Sequence, residues 1–204
     1  MRARSLIRRS LIRSLFVVAA LFAVPLAPSA VMAQTPRALV ETLGDKAIKS
    51  LTGSGVSRAE REQRFQALLR EGFDVAAIGR FTLGRYWNQA SPAQQQEYLR
   101  LFEKFIVQAY AARFAEYSGE QFRVTGERPD GDVVMVQSEI FKPGAQPTRV
   151  EWRVTAGAPA RIVDVIVAGV SMAVTQRSEF AAVIQRGGGN VESLISALRS
   201  KTGG

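Results

Sequence analysis

The sequence predicts an α+β domain: a curved antiparallel four-stranded sheet packed against helices and enclosing an apolar pocket. Three observations predict it. Up to Phe114 apolar residues recur at steps of three and four, the period of a helix with one buried face. From Phe122 to Thr155 they recur at every second position, the period of a strand. Short Gly/Pro turns separate the alternating segments, and helical spacing returns at the C-terminal end.

Residues 36–51 and 57–71 read as two helices separated by Gly53-Ser54-Gly55. Ser57 caps the second, whose apolar face is Phe65, Leu68 and Leu69. Phe73–Tyr117 reads as a well-capped helix, with more apolar bulk than one face of a surface helix needs and no residue resembling a catalyst. Its first part, Phe73, Val75, Ile78, Phe81 and Leu83, keeps near-helical spacing as far as Gly84. Ser91-Pro92-Ala93-Gln94 then forms a strong start signal. Ser91 caps, Pro92 sits where a missing N–H costs nothing, and Gln94 completes a capping box. Beyond it Tyr98, Leu101, Phe102, Phe105, Ile106, Ala109, Tyr110 and Phe114 form one stripe.

Phe122 and Val124 open the first strand, which ends at Pro129-Asp130-Gly131. Val133 to Phe141 is the second, closed by Pro143-Gly144. In the third, Thr148, Val150, Trp152 and Val154 alternate with Arg149, Glu151, Arg153 and Thr155, so one face is apolar and the other charged. Ile162–Val167 is apolar on nearly both faces, as in a strand covered on both sides. Together they make an antiparallel meander, which with helices over one face forms a half-cone. Helices follow at residues 178–185 and 191–199. Gly187-Gly188-Gly189 between them is a helix stop, without the spaced glycines of a phosphate-binding turn.

The N-terminus reads as a secretory leader. Arg2, Arg4, Arg8, Arg9 and Arg13 precede an apolar run from Leu15 to Leu26, and Val31-Met32-Ala33 places cleavage between Ala33 and Gln34. The rival reading, a retained membrane anchor, needs ~20 apolar residues, and here the run is shorter and interrupted by Pro25 and Pro28. Arg8-Arg9 leaves twin-arginine export open beside the general route. A single domain then spans residues 34–204, long enough for a substantial core.

Removal of the leader changes the charge. The chain carries 27 Lys+Arg and 18 Asp+Glu, a formal +9; without the five leader arginines, 22 bases face 18 acids, a net +4. What remains is scattered, so nothing points to nucleic acid. There is neither Cys nor His, which removes disulfides, Cys/His metal sites, Ser-His-Asp triads and Cys-His pairs. No metal or cofactor is expected.

Two blocks carry a resemblance. LGRYWNQASPAQQQEYLRLFEKFIVQAYAARFAEYSGEQF and VDVIVAGVSMAVTQRSEF, in this order and spacing, resemble the MlaC family of periplasmic phospholipid-binding proteins, auxiliary to ABC transporters and also called toluene-tolerance proteins. The resemblance covers about residues 37–200. Many relatives carry a Trp where this chain has Ala160-Arg161. The hopanoid-associated HpnM proteins share the layout. The resemblance implies a nuclear-transport-factor-like half-cone with an added helical part. It also implies a monomeric periplasmic carrier that holds acyl chains between sheet and helices with the head group at the mouth. Its implied partners are an inner-membrane MCE-domain protein of an ABC transporter complex and an outer-membrane lipoprotein complex, and its implied role is in outer-membrane lipid asymmetry.

Candidate lining residues come from the faces described: Phe102, Phe105, Ile106, Tyr110 and Phe114 from the long helix; Val134, Val136, Val150, Trp152, Val154, Val165 and Val167 from the strands; and Met172 near the following turn. Core packing is the alternative for each, because a core and an apolar cavity use the same residue types. Arg149 and Arg153 are candidates for the rim or a partner surface, the alternative being a solvated sheet face. A catalytic reading rests on Asp164 as base with Tyr110 or Tyr98 as acid. A non-carrier periplasmic interaction protein with a filled core is the third class.

Overall fold

A computed structural model describes residues 34–53 and 55–203. The expected leader falls on residues 1–33, outside the described residues. The helices are α1 (Pro36–Leu51), α2 (Arg58–Gly72), α3 (Val75–Leu83), α4 (Pro92–Ala111), α5 (Met172–Arg186) and α6 (Val191–Thr202). The strands are β1 (Gln121–Asp130), β2 (Val133–Phe141), β3 (Thr148–Thr155), β4 (Ile162–Val167) and β5 (Val170–Ser171). They pair antiparallel in the order β1-β2-β3-β4-β5.

The stretch Phe73–Tyr117 is two α-helices rather than one. Gly84 adopts φ +59, a conformation L side chains rarely take, and ends α3; a 3₁₀ segment follows over Gly84–Gln89. The Ser91 capping box then restarts the chain as α4: Ser91 Oγ accepts from Gln94 N at 3.2 Å and Gln94 Oε1 accepts from Ser91 N at 3.1 Å. A second 3₁₀ segment, Ala112–Glu116, closes the stretch.

Among the described residues the sheet has five strands, not four. The added strand, β5, is two residues long and folds back on β4 through Ala168 and Gly169, both at positive φ (49 and 83), as a two-residue hairpin requires. The helix after it begins six residues earlier than expected. Ser171 caps α5 by accepting from Val174 N at 3.1 Å, while the β-branched Val170, Val174 and Thr175 give this segment the composition of a strand.

Two apolar cores result. In the helical half, Tyr98, Leu101 and Phe102 of α4 pack against Phe180 and Ile184 of α5 and Leu194, Ile195 and Leu198 of α6. Tyr98 places its hydroxyl 3.0 Å from Gly79 O and 2.8 Å from Thr82 Oγ1, so its polar end is satisfied inside that core. In the sheet half, Leu39, Val40 and Leu43 of α1 lie on Val136, Val154 and Ile162. Ala160 is buried in this second core, and Arg161 donates to Glu71 O at 2.7 Å. The α1–α2 turn is held by Arg61, buried, donating to Leu51 O at 2.7 Å and Val56 O at 2.9 Å. A cation at the C-terminal end of α1 also complements the helix dipole.

Candidate functional site

Between the α1–α2 pair and the inner face of the sheet lies a cavity of about 100 Å³. The position of α1 on the sheet depends on Gly44, where a methyl group would overlap the Phe122 ring; Gly72 admits Leu43 in the same way. From α1 the lining takes Leu43, Gly44, Ala47 and Ile48; from α2, Phe65, Leu68 and Leu69. Phe73, Phe114 and Tyr117 close one side, and Phe122, Ile140 and Trp152 supply the sheet wall. None of these side chains is charged.

The aromatic rings form two series. Phe114 lies 5.8 Å from Phe65 and 5.3 Å from Tyr117, centroid to centroid. Across the cavity Trp152 meets Phe122 at 6.2 Å and Phe73 at 6.4 Å, both edge to face. The polar end of Trp152 is turned into the sheet: Nε1 donates to Ser138 Oγ at 2.8 Å, and Ser138 Oγ donates to Val150 O at 3.1 Å. The indole therefore offers its ring to the cavity with its N–H already bonded. Burial pushes the Tyr117 hydroxyl above its ordinary pKa and Glu120 adds to the shift, so this phenol stays neutral.

Such a lining can hold hydrocarbon and little else. Small-molecule pockets commonly measure ~300–1,000 Å³, so the walls as they stand enclose less than one ligand's worth of space.

Of the residues expected to line a pocket, Phe114 and Trp152 do so. Phe102 is buried in the helical core, with Phe105 and Ile106 packed against it. Val136 and Val154 are buried in the core under α1, with Val134 and Val165 packed on it; Val150 is buried beside them in β3. Tyr110, Val167 and Met172 are half-buried and in neither core, and the Tyr110 hydroxyl lies 3.8 Å from Met172 Sδ. Met172 is the first residue of α5 and not part of a turn. Arg149 and Arg153 alternate with Val150, Trp152 and Val154 and occupy the opposite sheet face from the cavity, opposite Glu139 and Met135. They are not at its rim.

The α1 and α2 contributions were not anticipated. Phe65, Leu68 and Leu69 were visible as an apolar helix face, and the glycine inside α1 was a sign of close approach. Asp164 has a structural role. It accepts from Val165 N at 2.8 Å, Ala173 N at 3.0 Å and Ser171 Oγ at 2.6 Å, joining β4 to the start of α5. Tyr98 and Tyr110 have the other partners already given, so this acid–base set does not assemble.

The family model described as MlaC protein matches residues 41–200. The intermembrane phospholipid transport system binding protein MlaC of Haemophilus influenzae is 20% identical over 181 residues, covering 84% of each chain. A phospholipid-binding protein from Ralstonia solanacearum, solved in complex with a phospholipid, has the same fold. Its TM-score is 0.74 at 23% identity, over 83% of this chain and 97% of that one.

Proposed function

The chain belongs to the MlaC family, and we propose that it is a periplasmic phospholipid carrier whose acyl-chain site is the cavity between α1–α2 and the sheet. The observation that carries this reading is the lining: thirteen residues, two series of aromatic rings and no charge. The names of the Haemophilus and Ralstonia proteins support it. Each buried CH₂ is worth about 0.8 kcal/mol, so a tail of ~16 carbons loses on the order of 12 kcal/mol on entering water, and an unshielded lipid crosses an aqueous space too slowly. The leader at residues 1–33 exports the chain. The carrier exchanges lipid with an inner-membrane complex containing an MCE-domain protein and with an outer-membrane lipoprotein complex.

The cavity's small volume fits this role. A site that opens around its cargo and closes behind it gives back part of the burial energy, which keeps release feasible. Native mass spectrometry and an organic extract of protein purified without detergent test the proposal. Bound phospholipid is expected. Protein that is lipid-free and takes up no lipid from vesicles contradicts it, and a polycyclic triterpenoid in the extract reassigns the ligand to the hopanoid class.

A further inference from the structure

Among the described residues the exposed large apolar side chains are Phe81 (42% exposed), Val170 (52%) and Val174 (52%). They belong to α3, β5 and the first turn of α5, and α5 packs on both of the other two elements. Arg177, one turn beyond Val174, stacks its guanidinium 5.1 Å from the Phe81 ring centre and lies against Gly84. Arg80 and Arg85 flank these residues in sequence, over the Trp87 ring at 5.7 Å and the Tyr86 ring at 5.0 Å. None of the three arginines is salt-bridged among the described residues, where half of the other arginines have carboxylate partners.

We propose that this face, Phe81, Val170 and Val174 ringed by Arg80, Arg85 and Arg177, is a peripheral contact with the surface of an anionic phospholipid bilayer. Charge complementarity selects the sign of the partner: three cations without internal carboxylates favour a negatively charged surface. Extent selects the kind. A stable protein interface takes roughly 20–30 residues a side, whereas shallow insertion of a few apolar side chains beside arginines suffices for reversible membrane contact. No helix among the described residues is long and apolar enough to cross a membrane, which keeps the contact peripheral.

The position of this face relative to the cavity adds a third reason, which rests on the carrier reading. Phe114 lines the cavity, and Tyr110, four residues earlier on the same helical path, reaches Met172 at 3.8 Å. Met172 lies between Val170 and Val174 in sequence. Phe114, Tyr110 and Met172, all half-buried, thus lead from the cavity toward the exposed cluster, with the Arg113 guanidinium 5.4 Å from the Tyr110 ring centre beside them.

The test is flotation of the purified chain with vesicles of phosphatidylcholine alone and of phosphatidylcholine mixed with phosphatidylglycerol. Flotation with the anionic vesicles only, reversed by raised salt, is expected. Arg177→Ala is expected to weaken it about fivefold, and the exposed pair Phe81→Ser/Val174→Ser at least about tenfold. Circular dichroism and retained lipid should be unchanged in all of these variants, and Val170→Asp gives an independent substitution at an exposed site. Flotation by the variants equal to that of the parent, or no flotation of the parent, overturns the proposal. Binding to soluble polyglutamate but not to vesicles also overturns it, in favour of an acidic protein partner. A parent that floats but carries no lipid leaves the surface standing and removes the carrier reading instead.

Discussion

The two halves of this protein are both rich in aromatic residues, yet they pack them differently. In the helical half the Tyr98, Phe102 and Phe180 rings lie 5.9–6.2 Å apart and are almost completely buried, and the Tyr98 hydroxyl is bonded inside. Between α1–α2 and the sheet, Phe65, Phe114, Tyr117, Phe122 and Trp152 are only half-buried, and their rings stand around open space. The difference lies in what each set packs against. Helices on helices bring ridges into grooves and fill the volume between them. A curved sheet under a helix pair leaves space where its curvature departs from the helices. Aromatic content therefore does not mark a cavity; the architecture around it does.

Three substitutions separate the halves, in falling order of effect. Phe102→Ala removes a ring from the filled core and should cost about 3–5 kcal/mol in urea unfolding, while the protein that remains folded keeps its bound lipid. A small loss would mean that the helical core is looser than its burial indicates. Ala47→Phe adds a ring to the cavity side of α1. Stability should change by less than about 1.5 kcal/mol because open space receives the ring, while lipid in the organic extract falls sharply. A large stability loss with lipid unchanged would place the acyl chains elsewhere.

The third concerns acid. Arg199 of α6 holds Glu97 of α4 through two hydrogen bonds of 2.7 Å, and these, with its charge, keep the Glu97 carboxyl below the ordinary carboxylate range. A depressed folded-state pKa gives stability that is present above the ordinary value of 4.5 and is lost as pH falls through the depressed one. Arg199→Ala should therefore lower stability at neutral pH and flatten the acid limb of the unfolding profile. A parallel downward shift at every pH would show that the pair contributes only packing.

Much of the fold was legible because local signals agreed. The Ser91–Gln94 capping box fixed the start of α4, and the alternation of residues 148–155 fixed which sheet face is apolar. Local signals failed at Val170–Thr175, where β-branched residues hid the start of α5 and a two-residue strand had too few positions to show a period. The site was harder to read. Leu43, Phe65 and Phe102 all belong to apolar helix faces, and a period reports only that a face is buried. Which face meets a neighbour and which meets a cavity depends on α1 lying across β1–β3, a contact between segments some eighty residues or more apart. The long helix α4 drew attention through its bulk, but only Phe114, just beyond its end, reaches the cavity.

Photolabelling with a phospholipid that carries its reactive group near the end of an acyl chain tests the placement of the site most directly. Labelled peptides should map to Phe65, Phe114 and Phe122, with little at Phe102 or Phe180. Labelling concentrated in the helical half, or absent from α1, α2 and the inner face of the sheet, would contradict the assignment of that cavity as the acyl-chain site.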